Sequence, residues 1–252
     1  MMMDAAEFRE RLLGIVGEAW FEQPCALHDF LANYLTPESV KVYAMEHCVF
    51  AASFPRWLAN VAGNCPHLEV RQYLIENMYV EEVRDPTEPI GHYESMVRFA
   101  VAVGLDDAWV RAYQGYLITR LTTSYWDHAS RTKPWLEAFA AAAGLEIKAN
   151  RALLKRYGRE PQSAQYRKRF KTLGLPDSAL VHFHQAEAAD PVEGGHGEMP
   201  VNILVKYATT AEQQEAVLRS LRESIQVNHF HWDAIGKRAI EVARGAPVFA
   251  TA

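Results

Sequence analysis

Three glutamates stand where a helix should be burying apolar side chains, and histidines lie near them in the chain. Glu46 interrupts Val42-Tyr43-Ala44-Met45 and Cys48-Val49-Phe50-Ala51. Glu81 follows Leu74, Asn77 and Met78 on a helical stripe, and His92 opens the next amphipathic segment. Glu146 closes the run from Ala140 to Leu145, and His184, Asp190, Glu193 and His196 crowd one later stretch. An ionised carboxylate in apolar packing costs several kcal/mol unless it is paired or bound to a metal. A metal pair would be one partner for all of them. Carboxylate and imidazole donors suit non-haem iron or manganese and leave open positions for oxygen or substrate. Thiolates are missing from the set, so structural zinc is disfavoured.

The elements that must position these groups are helical. Apolar residues recur at helical spacing in almost every segment, and no alternating strand stands out. Val42, Glu46, Phe50, Phe54 and Trp57 keep steps of three or four, so Glu46 shares the buried face. Phe139, Ala142, Ala143, Ala149 and Leu153 form a similar stripe beside Glu146, and His92 shares a face with Met96, Phe99 and Val103. Starts are marked by Thr36-Pro37-Glu38-Ser39, Cys65-Pro66-His67, Lys133-Pro134, Pro176-Asp177 and Thr209-Thr210. Asp106-Asp107 predicts a long helix to about Ser130. Stops fall at Gly63-Asn64, Gly104, Gly158 and Gly174. No break is long enough for a domain linker. The expectation is a single all-α domain over residues 1–252, a bundle of about seven or eight helices.

Bulk properties exclude several classes. The net charge of -5 carries no basic excess, which argues against nucleic acid as a partner. No apolar run is long enough to span a membrane, and the N-terminus lacks the layout of a secretory signal. Cys25, Cys48 and Cys65 form no metal motif, and a cytoplasmic protein is expected.

These features together resemble the haem-oxygenase-like superfamily, which includes thiaminase II, pyrroloquinoline-quinone synthase and the haem-oxygenase-like di-iron oxidases. The resemblance runs from about Glu38 to Ala239. Phe54-Pro55-Arg56-Trp57-Leu58-Ala59 followed by Asn64-Cys65-Pro66 is similar to a helix exit in the synthase and oxidase branches. Asn77-Met78-Tyr79-Val80-Glu81-Glu82 and then His92 is similar to the oxidases' Glu-then-His pair, and Val103-Gly104-Leu105 ends the next helix as the family does. The segment from Asp190 to Glu198 resembles a stretched Asp-x-x-His motif.

The oxidase resemblance implies Fe(II), two per chain, with molecular oxygen as co-substrate and a small carboxylate-bearing metabolite as substrate. It also implies a homodimer. The implied ligands are Glu46, Glu81, His92, Glu146, His184, Asp190 and His196, with Glu82 as rival to Glu81. The family pattern His-x-x-x-Asp-x-x-His is broken here: an ungapped match from Asp190 puts Ala186 and Glu193 at the histidine positions. One metal, two or none therefore remain open. The thiaminase branch needs a nucleophilic cysteine later in the chain than any present. A metal-free quinone-synthase-like oxidase could draw on His128, His182, His184, His229 and His231, and a non-catalytic binding protein is a third reading. Arg56, Arg98 and Lys206 are candidate carboxylate anchors.

Overall fold

Short-range signals set the helix ends. In the computed structural model, residues 1–86, 88–189 and 197–249 are described, residues 186–189 as backbone only. Among them are thirteen α-helices and no strand. They are α1 (Ala5–Val16), α2 (Ala26–Asn33), α3 (Ser39–Asn64), α4 (Leu68–Glu82), α5 (His92–Ala102), α6 (Asp107–Ala112) and α7 (Leu117–Thr132). Then follow α8 (Trp135–Ala142), α9 (Arg151–Arg156), α10 (Gln162–Lys171), α11 (Val181–Ala189), α12 (Met199–Tyr207) and α13 (Ala211–Ala243). The all-α expectation holds, with more and shorter helices than seven or eight.

The caps explain several boundaries. Ser39 N–H donates to Thr36 Oγ1 at 3.1 Å while Thr36 N–H donates to Ser39 Oγ at 2.8 Å, satisfying donors at the head of α3. Thr210 and Gln213 form a capping box on α13. Gly104, Gly158 and Gly174 close helices with positive φ, as their positions suggest. Pro55 sits inside α3, so the Ala51 carbonyl loses its helical donor.

Two expected helices are broken. The segment from Asp106 to Ser130 divides at Tyr113–Tyr116, where Gly115 takes a φ of +86°. Glu46 holds this break, accepting from Tyr113 Oη at 2.5 Å, from the Tyr116 backbone N–H at 3.2 Å and from the Thr119 hydroxyl. A Cβ on Gly115 would meet Thr119 at 2.9 Å, so glycine serves both the left-handed turn and the close approach. The alanine-rich helix ends at Ala142 and tightens into a 3₁₀ segment, Ala143–Ala149, which carries Glu146.

The two longest helices organise the rest. α13 packs on α2, α8, α3 and α1, and α3 packs on α4, α5, α7, α8 and α13. Their apolar residues belong to one buried core that runs from Phe8 to Val242. No helix among the described residues is long and apolar enough to cross a membrane.

Candidate active site

The helix pair α4–α5 brings Glu81 to His92. The connection returns so tightly that a Cβ on Gly91 would lie 2.6 Å from the Glu81 carbonyl oxygen. His92, 5 % exposed, places Nδ1 3.0 Å from Glu81 Oε1 and Nε2 3.3 Å from Asp85 Oδ2. Desolvation alone would lower its pKa, but these two carboxylates raise it to about 10. His92 is therefore an imidazolium at neutral pH. Gln185 from α11 donates to the Ile90 carbonyl at 3.0 Å and ties this turn to the opposite wall.

His182 supplies that wall. Its Nδ1 lies 3.2 Å from the His92 carbonyl oxygen, which can only accept, so Nδ1 carries the proton and Nε2 keeps a lone pair. Burial, with the charge of His92 second, lowers its pKa to about 4. His47 from α3 stands edge-on to His182 with ring centroids 4.9 Å apart, and its Nδ1 is 2.7 Å from Tyr43 Oη. Burial also holds His47 well below its ordinary value. Glu146 closes the site, accepting from Tyr73 Oη at 2.8 Å and from Asn77 Nδ2 at 2.9 Å. Glu81, His92, Glu146, His47 and His182 line one cavity of about 210 Å³, with Tyr43, Phe50 and Trp232 as aromatic walls.

A wider cavity of about 530 Å³ adjoins it, with Leu145, Glu146, Lys148 and Gln162 lining both. The profile of the iron-containing redox enzymes matches residues 41–229. The chain belongs to that family. Two curated relatives, the 4-aminobenzoate synthases of Chlamydia muridarum and Chlamydia trachomatis, are each 28% identical over 80 residues, or 32% of this chain. The match spans about a third of the length of either relative. A haem-oxygenase-like domain of unknown function from Shewanella denitrificans superposes with a TM-score of 0.71 at 14% identity, covering 100% of both chains. A CADD-like protein of unknown function from Nostoc punctiforme gives 0.66 at 14% identity, covering 94% of this chain and 97% of the other. A TenA homologue from Pseudomonas syringae gives 0.66 at 13% identity, covering 95% and 96%. The fold of this family member is haem-oxygenase-like.

Around this cavity, the expected residues divide. Glu81, His92 and Glu146 reach the cavity together. Glu81 lines the cavity, whereas its rival Glu82 is exposed. Glu46 is fully buried but engaged at the α6–α7 break, and the neighbouring His47 faces the cavity instead. His184 is exposed, while His182, two residues earlier, is buried in the site. Asp190, Glu193 and His196 lie outside the described residues. Arg56 and Arg98 are exposed, and Lys206 pairs with Glu69 at 2.5 Å. The alternating histidines around residue 183 were the available signal for His182; for Lys148 none was present.

The donor chemistry fits non-haem iron: two carboxylates and two or three imidazoles facing one buried space. Among the described residues, no group of three His, Cys, Asp or Glu side chains is already gathered as a metal site. His92 has both ring nitrogens on carboxylates, so it must give up a proton and one contact to ligate. The thiols take no part. All three are buried, and burial raises Cys25 to about 11 and Cys48 to about 12.

Proposed function

We propose that this family member is an oxygen-dependent oxidase or oxygenase whose non-haem iron sits in the inner cavity and whose substrate is a small acid-bearing metabolite. The observation that carries the reading is the convergence of Glu81, His92, Glu146 and His182, from four separate elements, on one cavity. These four would hold the metal, which when bound supplies oxygen activation and one-electron chemistry at the cavity wall. The chain's own residues do the rest. Tyr73 and Asn77 orient the Glu146 carboxylate, and Asp85 orients His92. His182 Nδ1–H is held by a backbone carbonyl, so its ring is kept in one tautomer. Phe50, Phe54 and Trp232 give apolar walls to the space where a substrate carbon would react. The chlamydial relatives are named for making 4-aminobenzoate, so the product of their reaction is an aromatic acid.

Whether two irons bind depends on donors beyond these four, with His47 on the same cavity and Asp190, Glu193 and His196 the remaining candidates. Metal analysis of protein produced with iron supplied tests the reading. Iron bound in stoichiometric amount and lost in Glu81→Ala and Glu146→Ala supports it, and a value near two per chain supports a di-iron centre. A second reading, a metal-free oxidase or a binding protein, is favoured by the ion pairs that occupy both nitrogens of His92. Folded protein that takes up no iron under any loading would replace the first reading with the second.

A further inference from the structure

The wider cavity is not explained by the chemistry of the inner one. Its volume of about 530 Å³ lies in the range of small-molecule sites, about 300–1,000 Å³. Trp20, Phe21, Leu31 and Leu154 give it apolar walls, and Lys148, Arg159, Lys168 and Arg169 give it four cations. Among the described residues, two carboxylates, Glu146 and Glu160, line it in return. Glu160 is taken by Lys168 at 2.6 Å, and Glu146 is held by Tyr73 and Asn77. Lys148 lies 4.2 Å over the Trp20 ring and 2.5 Å from Asn228 Oδ1. Arg159 and Arg169 come from different elements, and among the described residues neither guanidinium has a carboxylate partner. Burial, and after it the charges of Arg159, His229 and Lys148, lower the pKa of His28 on the same wall.

We propose that this outer cavity binds an organic anion with an apolar body, its acid group on Arg159 and Arg169 and its far end against the Glu146–Lys148 wall. A guanidinium matches a carboxylate in two parallel hydrogen bonds, and two of them over an apolar floor select an acid against a neutral isostere. The wall shared with the inner cavity brings the far end of such a ligand next to Glu146. That delivery rests on the oxidase reading, whereas binding in the outer cavity does not.

The test is calorimetric titration at low salt with naphthalene-2-carboxylate and its neutral counterpart 2-naphthylmethanol. The acid should bind at least about tenfold more tightly than the alcohol. Arg159→Gln/Arg169→Gln should weaken the acid about tenfold and leave the alcohol unchanged, since both charge-assisted contacts are lost to the acid alone. Ala32→Trp, which sets an indole on a lining position of the cavity, should abolish binding of both. Arg131→Gln, on the exposed face of α7, should change neither. Equal affinity for acid and alcohol, acid binding indifferent to the double substitution, or no acid binding by the folded protein would each overturn the assignment. Acid binding that follows these rules in a protein that never takes up iron would leave the outer site standing and remove the oxidase reading.

Discussion

Glu46→Ala separates a structural carboxylate from a metal ligand. Three donors converge on Glu46: Tyr113 Oη, Thr119 Oγ1 and the Tyr116 backbone N–H. The glutamate is fully buried and Thr119 with it, so water cannot simply replace the carboxylate. Each stranded donor costs about 1–3 kcal/mol, and the set, with partial relaxation, about 3–5 kcal/mol. With a urea slope of about 3 kcal/mol per M, the midpoint should fall by about 1 M or more. The reading is by urea denaturation, alongside iron content of the folded protein at low urea, which should match the wild type. Glu46→Gln sharpens the test. Burial pushes the Glu46 pKa above the usual carboxylate range, so the folded state holds this proton more tightly than the unfolded state. Stability from this group is therefore lost as pH rises above its unfolded value, and the glutamine variant lacks that loss. A Glu46→Ala protein of wild-type stability that has lost its iron would refute the structural role and restore Glu46 as a ligand.

Other outcomes follow from the same geometry. In iron-free protein, the stabilisation from His92 should be complete below about pH 6.5 and disappear as pH rises through about 10. His92→Gln should flatten that part of the pH–stability curve, and iron affinity of the wild type should rise with pH as His92 loses its proton more readily. Gly91→Ala should destabilise by about 1–3 kcal/mol, because its new methyl meets the end of α4 at 2.6–2.7 Å; thermal unfolding with the Glu81→Ala variant as comparison measures this. His182→Ala should reduce bound iron whereas His184→Ala should not, as measured by metal content, and the reverse order would put the other side of α11 in the site.

Much of the fold was legible in the chain, because caps and stops depend on contacts within a few residues. Thr210 caps α13 and the glycines at 104, 158 and 174 close helices as read, whereas Thr36-Pro37 does not open α3 itself: the helix starts at Ser39, and Thr36 bonds to it from the turn before. The α6–α7 break was not legible, since the group that captures it, Glu46, is remote in sequence. Burial of Glu46, Glu81 and His92 was also correctly read from spacing. Spacing tells that a side chain is inside, not which interior space it meets. α3 is surrounded by α4, α5, α7, α8 and α13, so it has several buried faces. Adjacent residues on a helix point about 100° apart, enough to send Glu46 to the α6–α7 break and His47 to the cavity. Two such steps, about 200°, put His182 and His184 on opposite sides of α11, a helix whose pattern marks no dominant face.

The local chemistry of caps, periodic burial and the type of donors was thus written in the amino-acid order. Which donors meet, and that Trp20, Lys148, Arg159 and Arg169 surround one chamber beside them, came from packing between distant segments. No short-range interaction links Trp20 and Lys148 to Arg159 and Arg169; the segment before α2, the 3₁₀ segment, the turn after α9 and α10 meet only in the folded chain.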